Sequence, residues 1–143
     1  MPLPTLRPGL RHEFRYLVPA SRTVPRLLPE APEFAPMPEV LATGYLVALL
    51  EWTCVQLLRP HTDWPAEQSV GTHISVSHRA ATPPGLTVTA VAELTGIDGR
   101  RLAFAVSASD GADQIAQGTH ERYLIDSARF AERAAAKAAR QAG

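Results

Sequence analysis

Residues 40–58 form the longest apolar stretch in the chain, interrupted only by Thr43, Gly44, Thr53, Gln56 and a single charge, Glu51. A helix that is apolar around most of its circumference is buried in a protein or in a bilayer. The interruptions leave this run short of the ~18 to 20 apolar residues a bilayer span requires. The pattern therefore predicts the central helix of a water-soluble domain, covered by other elements. Glu51 then needs a reason, because an ionised carboxylate withdrawn from water loses of order several kcal/mol unless it is paired. It either faces a polar gap or does chemistry.

What surrounds that helix must come from the rest of the chain, and at 143 residues there is enough for one ordinary domain with a substantial core, spanning residues 1–143. The 14 Lys and Arg balance 14 Asp and Glu, so no net field draws in nucleic acid or an acidic membrane, and the expected partner is a small molecule or a protein. Cys54, the one cysteine, has no partner for a disulfide. Pro2, Pro4 and Pro8 break the N-terminus without the apolar core of a signal peptide. A cytoplasmic protein is expected.

Residues 1–10 read as a loose, proline-punctuated lead-in, and residues 11–18 as an edge strand stopped by Pro19. Five prolines between Pro25 and Pro38 exclude both helix and ladder, leaving an ordered loop that carries Phe34 and Met37. These two either plug the core or form part of a lid. Beyond the helix the period changes to two. In residues 69–79, Val70, Thr72, Ile74, Val76 and His78 share one parity and are read as facing the helix, with Gly71, His73, Ser75, Ser77 and Arg79 on the other face. A lone histidine on an apolar face is more often a packed core residue than a catalyst. Glu51 on the facing helix argues for catalysis at His78.

Pro83-Pro84-Gly85 makes a turn, residues 86–94 alternate as a half-buried strand, Asp98-Gly99 marks a hairpin, and residues 102–108 and 114–125 supply two more strands. Asp126 or Ser127 is expected to cap a closing alanine-rich helix within residues 127–143, a surface helix with Phe130 as its one large anchor. A long helix followed by an antiparallel meander that curls around it is an α+β arrangement, the hotdog fold.

Several segments resemble the fluoroacetyl-CoA thioesterase family: Pro32-Glu33-Phe34-Ala35, Pro38-Glu39-Val40, Ala42-Thr43-Gly44, Glu51-Trp52, Gly71-Thr72, His78 with residues 80–89, and Gly118-Thr119-His120-Glu121-Arg122. The resemblance implies a homodimeric hotdog thioesterase that hydrolyses a short acyl-CoA without metal or cofactor. It further implies that Thr43, Glu51 and His78 are catalytic, that Gly71 lies near the thioester carbonyl, and that Phe34 and Met37 occupy lid positions. At Met37 the family has phenylalanine, so the acyl group is the property this departure touches. Arg122 falls in the shared Gly-Thr-His-Glu-Arg run and joins the substrate-binding set.

The residue types suit thioester hydrolysis, which needs a nucleophile or activated water, a proton acceptor, and a donor for the developing oxyanion. His78 titrates in the right range for a base. Glu51 can orient that imidazole, activate water or attack the thioester. Thr43 can cap the helix or contact the acyl group, near backbone N–H groups that suit an oxyanion. Eight residues along a helix separate Thr43 from Glu51 by ~12 Å, so either the substrate bridges them or a dimer interface completes the site. Arg79, Arg100 and Arg101 are candidates for the nucleotide of CoA. His12, His61 and His120 share no metal-ligand spacing with Cys or carboxylates. Two other classes fit a hotdog domain: an acyl-CoA-binding module without turnover, and a hydratase or dehydratase.

Overall fold

The computed structural model describes residues 2–142. Five antiparallel strands form one sheet: β1 (Arg11–Leu17), β2 (Glu67–His78), β3 (Thr87–Asp98), β4 (Arg101–Ser109) and β5 (Gln114–Asp126), in the spatial order β1-β3-β4-β5-β2. One long helix, α1 (Thr43–Leu58), packs on this sheet, and α2 (Ser127–Ala142) follows β5. This is the α+β hotdog arrangement.

Alternating strand residues build the core. Val88, Ala90, Ala92 and Leu94 of β3, with Leu102, Phe104, Val106 and Ala108 of β4, are all buried beneath Leu46, Leu50, Cys54 and Leu57 of α1. Burial pushes the Cys54 thiol up to about 12, so it packs as a small apolar group. The helix is not covered on every side, as its apolarity alone suggests. Thr43, Gly44, Ala48 and Trp52 are exposed, with Val47, Glu51 and Val55 half-buried.

The helix also begins later than the apolar run does. Residues 40–42 lie outside the helix and are pinned: Val40 O accepts from Val24 N at 2.9 Å, Leu41 N donates to Thr82 O at 2.7 Å, and Ala42 N donates to Arg22 O at 3.1 Å. The residue supplying that Thr82 carbonyl is itself held, since the Thr82 hydroxyl donates to the buried Asp110 carboxylate at 2.8 Å. This chain of bonds ties the start of α1 to the β4–β5 connection.

The N-terminal lead-in is bonded down instead of loose. Leu3 N donates to His61 O at 2.9 Å, Gly9 N donates to Leu94 O at 2.8 Å, and Leu6 and Leu10 pack against the core. The proline-rich loop folds into short 3₁₀ turns at Ala20–Arg22, Val24–Arg26 and Pro32–Phe34. Asp126 caps α2 by accepting from Arg129 N at 3.0 Å, as expected. Phe130 is no anchor, for it is exposed and α2 buries none of its residues.

Candidate active site

One stripe of α1, Thr43, Val47 and Glu51, recurs every four residues and so lies on one side of the helix. It faces β2. At its N-terminal end the Thr43 hydroxyl and His78 Nδ1 are 2.8 Å apart. At the other, Glu51 lies against Gly71, His120 and Arg122, with Val47 and Ile74 lining the same cavity of about 280 Å³.

The first cluster assigns Thr43 a role different from capping, because its side chain makes no cap bond and is committed to His78. It also takes over the task of orienting the imidazole, which the sequence left open for Glu51. His78 Nε2 is buried and makes no hydrogen bond. Burial holds the His78 pKa below 6.5, opposed in part by the nearby Ala80 backbone. The result is a neutral imidazole with one nitrogen fixed and the other unspent. Beside it, the N–H groups of Thr43, Gly44 and Tyr45 precede the first bond of the helix, Leu46 N to Ala42 O at 2.9 Å, and present the positive end of its dipole.

The second cluster rests on a β-bulge. The pairing of β2 with β5 shifts register between Gly71 and His73, inserting one residue and exchanging the faces of everything before it. Ser69 and Gly71 therefore face α1 together with Ile74, Val76 and His78, whereas strict alternation had placed Val70 and Thr72 there. A Cβ on Gly71 would stand 2.5 Å from Glu51 Oε1 and 3.2 Å from His120 Cε1. Only glycine leaves room for the carboxylate.

Arg122 donates from Nη1 to Glu51 Oε1 at 3.0 Å, from Nε to Ser69 Oγ at 2.7 Å and from Nη2 to Ser69 O at 2.9 Å. Its guanidinium is buried and directed inward against Glu51 and Ser69. His120, which spacing arguments passed over, is the neighbour sequence reasoning missed. The strand's own parity carried the signal: Ala116, Gly118, His120, Arg122 and Leu124 alternate with Gln117, Thr119, Glu121 and Tyr123, putting two basic side chains on the inward face opposite one helix carboxylate.

Arg79 is exposed just after His78, while Arg100 and Arg101 flank the β3–β4 hairpin. Arg100 lines a separate cavity with Tyr123, Arg129 and Arg133. On the loop, Phe34 is half-buried and Met37 is 43% exposed; neither lines the cavity at Glu51. No helix among the described residues is long and apolar enough to cross a membrane.

Residues 28–128 match the family model described as fluoroacetyl-CoA-specific thioesterase. The chain is 53% identical over 125 residues to the fluoroacetyl-CoA thioesterase of Streptantibioticus cattleyicolor, covering 87% of this chain and 89% of that protein. Among solved structures it is similar to a phenylalanine-to-alanine mutant of the fluoroacetyl-CoA-specific thioesterase in complex with fluoroacetate and CoA, with 53% identity, a TM-score of 0.85, and coverage of 87% of this chain and 99% of that one. A hot-dog-like protein from Thermanaerovibrio acidaminovorans, 20% identical, superposes with a TM-score of 0.76 over 94% of this chain and 93% of its own, and shows the fold.

Proposed function

From the premise that this chain belongs to the fluoroacetyl-CoA-specific thioesterase family, we propose that it hydrolyses fluoroacetyl-CoA to fluoroacetate and CoA, with Thr43, Glu51 and His78 carrying the reaction. The observation that bears most weight is the buried, unspent Nε2 of His78, held by Thr43 at the start of α1. A polar atom buried without a partner costs about 1 to 3 kcal/mol, a cost a reacting group would relieve. In the reaction the Glu51 carboxylate supplies the electron pair, either to the carbonyl carbon or to a proton of the attacking water. The carbonyl oxygen takes up charge near the N–H groups at the head of α1. The C–S bond then breaks, and the departing thiolate is protonated through His78 by the proton that came from the attacking water; where Glu51 itself bonds the carbonyl carbon, water then hydrolyses the glutamyl anhydride, releasing the acid, restoring the Glu51 carboxylate and supplying that proton. No group beyond these side chains, water and the CoA ester enters the scheme.

The two clusters sit at opposite ends of a ~12 Å helix stripe, a span filled by Val47 and Ile74, so one small acyl group cannot touch both within a single chain. A homodimer resolves this. The sheet order leaves β2 at an edge, and the midpoint between Gly71 and His78 falls between Ile74 and Ser75. Two β2 strands paired antiparallel about a two-fold axis there would set Glu51 of one protomer against Thr43 and His78 of its partner. Phe34 and Met37 then close over the acyl group, Gly71 lies near the carbonyl, and Arg79 meets the nucleotide of CoA. A cytoplasmic setting suits a lone buried cysteine.

Release of free thiol from a panel of short acyl-CoAs tests the reading. Fluoroacetyl-CoA should be the best substrate, and Glu51→Gln and His78→Ala should each lower kcat at least ~100-fold while folding is retained. Binding without thiol release would mark a sensing module instead, and an absorbance change without thiol release a hydratase. Sedimentation at micromolar concentration should give a dimer; a fully active monomer would sink the shared site.

A further inference from the structure

His120 is buried to 2% exposure, stacks on Phe104 with ring centroids 6.3 Å apart, and uses both ring nitrogens. Nδ1 lies 2.7 Å from the His73 carbonyl oxygen, on the residue that ends the β2 bulge. A carbonyl only accepts, so Nδ1 carries the proton. Nε2 lies 3.1 Å from Arg122 Nη1. A guanidinium only donates, so Nε2 is bare. The two contacts together fix a neutral Nδ1–H tautomer, and they consume the second proton of Arg122 Nη1, whose first goes to Glu51.

We propose that His120 is a positioning residue for the reaction assigned above: as a neutral Nδ1–H imidazole it links the β2 bulge to Arg122 and thereby sets where Glu51 Oε1 stands. Without an acceptor at Nε2, Nη1 is held on one side only and the guanidinium is free to turn about the Ser69 bonds, carrying Oε1 with it. A proton on Nε2 would oppose the Arg122 N–H directly. The groups around the ring agree with its neutrality. Burial lowers its pKa below 6.5 and Arg122 adds to that, while the bond to His73, Glu51 and Glu121 act in the opposite direction. His120 touches no reacting atom; it acts through Arg122.

Two substitutions separate this role from simple packing. In His120→Asn the amide nitrogen can still donate to His73, but nothing reaches Arg122. In His120→Gln the longer amide places an oxygen where Nε2 stood and restores the acceptor. The asparagine variant should lose about tenfold or more in kcat with KM within about twofold, the scale of a small misplacement at a reacting group, and the glutamine variant should recover most of that loss. If both lose activity only in proportion to their loss of thermal stability, or if asparagine is as active as wild type, the role is refuted. Nitrogen-detected NMR of histidine-labelled wild type gives a readout independent of turnover. At pH 7.5 one imidazole, assigned by its absence in His120→Asn, should show a protonated Nδ1 and a bare Nε2. An Nε2–H or doubly protonated ring there would overturn the proposal even if the thioesterase assignment holds. Conversely, an inactive wild type with the expected tautomer would refute the thioesterase reading and leave the linkage itself intact.

Discussion

Gly71→Ala isolates the geometry of the carboxylate. The added methyl would lie 2.5 Å from Glu51 Oε1, 3.2 Å from His120 Cε1 and 3.5 Å from Arg122 Nη1. The first contact is about 1 Å inside van der Waals distance, so Oε1 has to leave. Its 3.0 Å bond to Arg122 is then lost, a charge-assisted bond of about 1.5 to 3 kcal/mol. The Glu51 side chain is 40% exposed and is the free end of a flexible chain, so solvent and rotamer change absorb much of that loss. We therefore expect a fall in stability of no more than about 1 kcal/mol together with a fall in kcat of about 100-fold, the scale attached to a displacement of about 1 Å at a reacting group. Thiol release under saturating substrate gives kcat, and a urea titration gives the stability change. A variant that keeps kcat within threefold of wild type would refute the argument that the missing Cβ exists for Glu51. A variant that fails to fold would show that Gly71 serves the bulge instead.

Gly118 should behave in the opposite way: a Cβ there would run into the Ser75 carbonyl and the backbone of Val76, neither of which can swing aside, so Gly118→Ala should cost at least ~3 kcal/mol and lower the urea midpoint sharply. Because the folded-state pKa values of His78 and His120 both lie below 6.5, the unfolded chain binds more protons as pH falls through that value; stability contributed by the two neutral rings should be complete above pH 6.5 and decline below it, which urea titrations between pH 5 and 8 will read. The acid limb of kcat/KM should likewise fall below 6.5, and a limb centred above 7 would contradict a neutral, half-buried His78. If Met37 closes over the acyl group as proposed, Met37→Phe should raise the preference for fluoroacetyl-CoA over acetyl-CoA, since a thioether fits several shapes and a rigid ring fewer; an unchanged ratio of kcat/KM would remove Met37 from specificity.

Much of the fold was legible because apolar periodicity records burial. The nearly unbroken apolar run of α1 and the alternation of β3 and β4 reflect which side chains leave water, and these elements lie close to where their patterns put them, with β3 running on past residue 94 to Asp98. The apolar run starts three residues before the helix because backbone bonds to Arg22, Val24 and Thr82 hold residues 40–42 outside it, and those bonds leave no mark on the apolar pattern. Of the proposed site residues, Glu51 and His78 were legible as types out of place, a charge in an apolar helix and a histidine on an apolar strand face, whereas the resemblance supplied Gly71, Arg122 and the catalytic role of Thr43. The pairing among them was not legible. Reading His78 toward Glu51 was natural when the two appeared to be each other's only polar neighbours, but Thr43 is nearer to His78 and Arg122 to Glu51. His120 escaped because it was weighed only as a metal ligand, not for its parity with Arg122.

The bulge explains why strict alternation could not have found the second cluster. Gly71 and His78 have opposite parity, so a regular strand would aim one of them away from α1. One inserted residue between them turns both inward, and it does so on the strand whose other edge the sheet leaves open. A bulge also strengthens local twist, and Gly118, opposite Val76, removes the side chain that would keep β2 from closing on β5. The same irregularity thus bends the edge strand along α1 and presents Gly71 and His78 on one face at the two ends of its open edge. For a two-fold dimer formed through that edge, this is the arrangement in which each chain lends the carboxylate to one site and the Thr43–His78 pair to the other, so loss of the bulge should abolish both sites together.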